Sequence, residues 1–204
     1  MLSFSQSKEF EGIITYQKYF ERITSDQYAI AYEEYVKEIG ETNGEIDYYY
    51  KNGKHKWWST TVGSGELFYP KLKYLYIKLN HSYKNWQKHP IGKTDETVMS
   101  AKITDETQTI LGYTCKVFEI KTKKNQKYGG TMVRKFYFSP KLFMNYKTKK
   151  AYKYGSQNII AEYIKALPLK ILIDFKGCVL SYTAIKVEKK AIEDDVFETP
   201  PTAN

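Results

Sequence analysis

Arginine is almost missing from this basic chain: of its 32 Lys and Arg residues, only Arg22 and Arg134 are arginine. Arginine is the usual reader of base edges, so a lysine-dominated surface argues against sequence-specific nucleic-acid recognition, and no nucleic-acid partner is expected. Cysteine is nearly as scarce. Cys115 and Cys178 are the two present, which excludes a multi-cysteine zinc ribbon. Each falls in an expected strand, so they form a possible disulfide if those strands are neighbours in an oxidising compartment. The alternative is a pair of buried thiols acting as small hydrophobes. The three histidines, His55, His81 and His89, share no helix-face spacing and lie beside no acidic cluster. They read as surface residues, and no metal ligands are assigned.

Other chemistry is missing too. There is no Gly-x-Ser-x-Gly elbow, no phosphate-cradling glycine loop, and no histidine near either cysteine in sequence. The neighbouring carboxylates Glu33/Glu34, Asp95/Glu96, Asp105/Glu106 and Asp194/Asp195 stand in polar stretches and read as solvated faces. No catalytic residue and no cofactor is therefore expected, and the chain does not read as an enzyme. No apolar run approaches the roughly 20 residues of a membrane-spanning helix. No internal repeat, low-complexity tract or splitting linker is visible.

What is present in excess is tyrosine, 20 residues in a chain of 204 whose aromatic share is 16%. Tyrosine is a strand former with an apolar body and a polar tip, suited to sheets with one wet face or to cavity walls. The net charge of +9 comes from lysines scattered along the chain. That distribution serves solubility, and it would also suit a possible anionic membrane surface.

Residues 12–20 alternate as a first strand, with Ile14, Tyr16 and Phe20 on one face. Residues 25–39 predict a helix with Tyr28, Tyr32, Tyr35 and Ile39 as one stripe, stopped by Gly40. Asn52-Gly53 between residues 46–51 and 55–61 is a strong hairpin signal. Trp57 and Trp58, being adjacent in a strand, must face opposite ways. Strands follow at 66–69 and 73–79, then a polar loop at 81–93 and weak strand propensity at 95–107. The most strongly patterned stretch is 109–143, where β-rich runs at 110–120 and 132–139 flank a lysine-rich link ending in Gly129-Gly130. Residues 156–165 predict a short helix ended by Pro168. Strands at 171–175 and 178–189 follow, the latter with Val179, Ile185 and Val187 inward, and residues 194–197 close the domain.

The expected fold is mainly β, with one or two helices: a single curled antiparallel sheet of about eight to eleven strands forming an incomplete β-barrel around helix. A curled sheet with aliphatic and aromatic faces, covered by a Tyr-striped helix, encloses an apolar cavity. Its candidate ligand-binding lining is Tyr16, Tyr32, Trp57, Tyr74, Phe136 and Phe138. A packed structural or protein-interaction domain of the cell envelope is the alternative, and an aromatic-lysine surface for polysaccharide or nucleic acid a third reading. Residues 1–9 read as a remnant of a signal peptide or a disordered N-terminus, 10–200 as one half-barrel domain and 201–204 as a tail.

The order of motifs resembles exported Gram-negative proteins with a lipoprotein-carrier-like half-barrel. Glu11-Gly12-Ile13-Ile14-Thr15-Tyr16 is similar to their opening strand, and Tyr50-Lys51-Asn52-Gly53-Lys54 to their early hairpin. Ile110-Leu111-Gly112-Tyr113-Thr114-Cys115 resembles their most recognisable phrase. Ala166-Leu167-Pro168-Leu169-Lys170-Ile171 is similar in part to a Gly-Leu-Pro-Gly-Leu-Ile segment, with Ala166 and Leu169 in place of its glycines. Phe197-Glu198-Thr199-Pro200 resembles the closing phrase. The resemblance implies export to the periplasm or the periplasmic face of the outer membrane. For the carrier branch it implies a cavity whose partner is a lipid or acylated protein.

Overall fold

The computed structural model describes residues 8–22, 43–59, 63–71, 74–78, 86–125, 130–175 and 177–198. Period-two alternation of β-branched and aromatic residues produces eleven strands. They are β1 (Gly12–Arg22), β2 (Asn43–Lys51), β3 (Lys54–Ser59), β4 (Ser64–Phe68), β5 (Tyr74–Lys78) and β6 (Gln87–Pro90), then β7 (Glu96–Ile110), β8 (Tyr113–Lys124), β9 (Thr131–Phe143), β10 (Ala166–Phe175) and β11 (Cys178–Lys189). All pair antiparallel in one sheet of order β6-β5-β4-β3-β2-β1-β11-β10-β9-β8-β7.

That order forces the sheet to curl. β6 and β7 are its two edges, yet only residues 91–95 connect them. Such a link spans at most about 21 Å when extended. A flat sheet of this width would hold its edges about 48 Å apart at ~4.8 Å per strand. The edges must therefore approach each other, and residues 146–156 clasp the seam. Lys153 N and Tyr154 N both donate to Ile91 O, at 2.7 and 3.2 Å, and Gly155 N donates to Asp95 Oδ1 at 3.0 Å.

Inside the curl lies the main core, which includes Ile14, Tyr50, Val117, Phe118, Ile120, Leu142 and Leu169. The short helix α1 (Gln157–Ile164) packs on β8 and β10 through Ile160, Ala161 and Ile164, and Tyr163 stacks on Phe118 at 4.7 Å. A smaller outer cluster of Ile13, Leu67, Tyr76, Ile192 and Phe197 explains why the chain closes at residues 194–197. Phe197 is driven into the outer face of the sheet.

Several expectations are corrected. The segment 81–93 contains a strand, β6, whose polar Gln87–Pro90 stretch forms because an edge needs hydrogen bonds on one side only. Leu111-Gly112 lies inside no strand: both residues have positive φ (50° and 76°) and make the two-residue turn between β7 and β8. The short helix ends at Lys165, which adopts φ 48° and donates its N–H to Ala161 O, while Pro168 sits in β10 at a break in register. In β11, Cys178, Leu180 and Ala184 face inward. A bulge opposite Thr15/Tyr16 leaves Ile185 exposed and returns Val187 to the inner side. Cys115 and Cys178 are both buried, and no disulfide joins them. They stand on β8 and β11 with two strands between, about 14 Å across the sheet, beyond disulfide reach. The expected helix at 25–39 lies outside the described residues.

The Asn52-Gly53 turn forms as expected, with φ of 49° and 78°. A Cβ at Gly53 would stand 2.7 Å from Thr148 Cβ, so this turn also seats the 146–149 segment. Gly53→Ala is expected to destabilise the fold by about 1–3 kcal/mol in urea melts, from positive φ and this collision together. Replacing Thr148 with alanine in the same background should recover part of the loss. No recovery would mean that backbone conformation, together with the Thr148 Cβ that alanine retains, sets the cost.

Candidate functional site

Between the inner face of the sheet and α1 lies a cavity of about 300 Å³. The first half of the sheet supplies Tyr16 from β1, Ile46 and Tyr48 from β2, and Trp57 from β3. The other wall is Phe136, Leu167, Ile171 and Ile173, with Ile160, Ala161 and Ile164 of α1 as the roof. These walls are mostly apolar.

One wall is not. His55 and Trp57 share a strand face by parity, and across the β3–β4 pairing Trp57 meets Glu66. Lys149, on the 3-10 turn Tyr146–Lys149, comes in from the seam. His55 Nε2 lies 2.8 Å from Glu66 Oε1, and Lys149 Nζ closes on His55 Nδ1. A carboxylate only accepts, so Nε2 carries the imidazole proton and Nδ1 accepts from Lys149. The imidazole is stacked between Tyr48 and Phe68, 5.3 and 5.2 Å away, and Tyr152 Oη donates to Glu66 at 3.3 Å.

Burial governs the charges of this chain. It lowers Lys149 to about 7. It also lowers His55 to about 4, assisted by the Lys149 charge. The imidazole is thus neutral near pH 7. Burial alone would push Glu66 up, but the hydrogen bond from His55 and the nearby Lys149 charge outweigh it and hold the carboxyl below its usual range. Tyr16 and Tyr48 are raised, chiefly by burial, and stay protonated.

A second buried group meets the cavity at Arg134. Its Nη2 pairs with Glu96 Oε1 and its Nη1 donates to Gly155 O at 2.8 Å. Glu96 is fully enclosed and also accepts from Ser156 Oγ at 2.7 Å and Thr122 Oγ1 at 3.2 Å. Arg134 lines the same cavity as His55, Glu66 and Lys149. Arg134 Nε is buried and has no hydrogen-bond partner among the described residues.

Of the sequence-derived lining residues, the fold brings Tyr16, Trp57 and Phe136 together around the cavity. Phe138 is buried in the main core and does not line it, because it falls on the part of β9 paired with the bulged start of β10. Tyr74 is 43% exposed on β5, beside the β6 edge. Tyr32 lies outside the described residues. Trp58 faces the other way from Trp57, stacked on Trp86 at 5.9 Å with Lys56 and Lys78 about its ring. His55, read from sequence as a surface residue, is 4% exposed. Its shared parity with Trp57 was the available signal. Arg134 carried the same signal, sharing the parity of Phe136 in the β-rich run 132–139. Lys149 had none, since it sits in a basic connector and is buried only by the closing of the seam.

Among the described residues no group of three or more His, Cys, Asp and Glu is arranged to hold a metal ion, and no helix is long and apolar enough to cross a membrane. The architecture is a mainly β half-barrel: one curled antiparallel sheet with a short helix inside it, enclosing an apolar cavity with one polar wall. No protein-family model and no curated protein matches the chain. Among solved structures it is similar to the lipoprotein LppX of Mycobacterium tuberculosis, at 10% identity over 90% of this chain and 89% of that one, TM-score 0.39. It is also similar to LprF of Mycobacterium bovis, at 10% identity over 89% and 88%, TM-score 0.36. A LolA superfamily protein of Nitrosomonas europaea matches at 9% identity over 94% and 91%, TM-score 0.38.

Proposed function

We propose that this protein is a non-catalytic binder of an apolar ligand, a lipid or the acyl chain of an acylated protein, working in the cell envelope. The observation that carries this reading is the cavity of about 300 Å³ under α1. Natural cores leave few voids larger than a water molecule, and a space this size among Ile, Leu, Phe and Tyr side chains is the lower end of ligand-pocket volumes. At about 30 Å³ for each methylene-sized group, it admits about ten such groups, one chain of medium length. Each sequestered methylene contributes about 0.8 kcal/mol, offset by the cost of ordering ligand and protein. The mechanism is burial, with no bond made or broken. A fully packed interaction domain has less support, because the interior described here is open.

The test is organic extraction and mass spectrometry of natively purified protein, followed by uptake of a fluorescent fatty acid. A co-purifying lipid near one per chain is expected. Ala161→Trp, which fills the cavity from its roof, should weaken uptake by at least about tenfold, at a stability cost of about 1–3 kcal/mol. Unchanged uptake in Ala161→Trp would place the ligand elsewhere. No extracted lipid together with no uptake would end the binding reading. Localisation is tested separately, by fractionating cells that express the native gene.

A further inference from the structure

The polar wall of the cavity has one unmet requirement. Arg134 is 6% exposed and is one of the cavity-lining residues. Two of its guanidinium nitrogens are spoken for by Glu96 and Gly155, and Nε alone has no partner among the described residues. Buried donors in folded proteins are nearly always satisfied, so an orphan on a residue that lines an open cavity points to an acceptor that enters from there. Nε has no surface open to the cavity in this arrangement, so the acceptor reaches it when a neighbouring lining side chain gives way. Arg134 cannot swing away to find an acceptor, because Glu96 is itself held by Ser156 and Thr122. The guanidinium is therefore already oriented before a ligand arrives.

The surrounding groups say what kind of atom belongs there. The carboxylates near it are engaged: Glu96 by Arg134, Ser156 and Thr122, and Glu66 by His55 and Tyr152. Both imidazole nitrogens of His55 are used as well. What remains is donor capacity, on Arg134 Nε and on the further protons of Lys149. An ammonium head would find cations and spent acceptors, whereas an oxygen head would find donors.

Resting on the cavity reading above, we infer that the ligand is a single medium-length chain whose polar end is an oxygen acceptor, received by Arg134 at the cavity wall. Two sources share that chemistry, the carboxylate of a free fatty acid and the carbonyl of an esterified chain. The tail would lie against Ile160, Ile164, Ile171 and Ile173.

The experiment is calorimetric titration of the full chain, freed of co-purifying lipid, with decanoate, methyl decanoate and decyltrimethylammonium at about 0.15 M salt. Decanoate is expected to bind at least about tenfold more tightly than decyltrimethylammonium, the usual advantage of a charge-assisted hydrogen bond. Arg134→Lys keeps the positive charge facing Glu96 but removes Nε. It should bring the two ligands within about threefold while leaving decyltrimethylammonium binding as it was, which separates a specific contact from the general attraction of a basic protein for anions. An ester that matches decanoate would assign the site to esterified chains, and one that binds like the ammonium would assign it to free acids. Equal affinities for all three heads would overturn this inference and leave the cavity reading standing, as would a head preference unchanged in Arg134→Lys. Failure of every decyl compound to bind would overturn both. Should Arg134→Lys not fold, the head-group series repeated at about 0.5 M salt decides, because a general attraction to the basic surface is screened there and a buried contact is not.

Discussion

Glu96→Ala is expected to destabilise the protein by about 3–5 kcal/mol, the largest single-residue loss among its polar groups. Its carboxylate has no exposed side-chain surface, and four groups converge on it: Arg134, Ser156 Oγ, Thr122 Oγ1 and, at 3.6 Å, Lys124 Nζ. Truncation leaves the Arg134 guanidinium charged, buried and unpaired, which costs far more than the net worth of the pair. The damage should also reach function, because Glu96 opens β7 and Ser156 precedes α1, the roof of the cavity. Urea unfolding is the measurement. The double replacement Glu96→Met with Arg134→Met should recover most of the loss, since it removes both charges instead of stranding one. A loss below about 1 kcal/mol in Glu96→Ala would show that water reaches the pair.

Stability should climb with pH well past neutrality, where most proteins of this size are already at or beyond their optimum. The sign follows from the buried Lys149–His55–Glu66 chain. Lys149 is lowered to about 7 in the folded protein, while an unfolded lysine titrates near its usual value of 10.5. Between those values the unfolded state holds the extra proton, so unfolding becomes harder as pH rises, by up to about 1.4 kcal/mol per pH unit. His55 acts in the same direction between about 4 and its usual 6.5. Glu66, held below its usual 4.5, adds stability that is lost as pH falls beneath that value. The opposing groups are the tyrosines. Tyr16, Tyr48 and Tyr50 are raised above 10, chiefly by burial, so their contribution is lost as pH climbs past the unfolded value of 10.0. The optimum should therefore fall at about pH 9–10. Urea melts from pH 5 to 10.5 test this, with Lys149→Met expected to flatten the rise above pH 7. A maximum near pH 6 that declines by pH 9 would contradict a buried, neutralised Lys149.

The half-barrel was readable in outline because strand signals are local. Period-two alternation in residues 12–20, the Asn52-Gly53 turn and the β-rich runs on either side of the lysine-rich link each act within a few residues of themselves. Leu111-Gly112 escaped because its flanking residues are as β-rich as a strand interior, and only the positive φ of both residues reveals the turn. β6 escaped because edge strands tolerate polar, proline-containing sequence.

The cavity was half readable for a related reason. Tyr16, Trp57 and Phe136 were found because an aromatic on the inward parity of a strand has a definite face. Phe138 shares the parity of Phe136 but not its neighbours, since the break in register at Pro168 decides which part of β9 is covered by packing. Tyr74 went to the outside because β5 lies next to an edge.

Local chemistry along the chain thus determined the strands, the hairpins and the apolar face, since each depends on residues a few positions apart. Tertiary structure alone decided the polar wall. Lys149 meets His55 across 94 positions, and Arg134 meets Glu96 across 38. A lysine in a basic connector and a glutamate beside an aspartate look like solvated surface in any short window. They become buried partners only when the sheet curls, its edges approach and residues 146–156 close over the gap, because the removal of water that makes them matter is a property of the closed barrel.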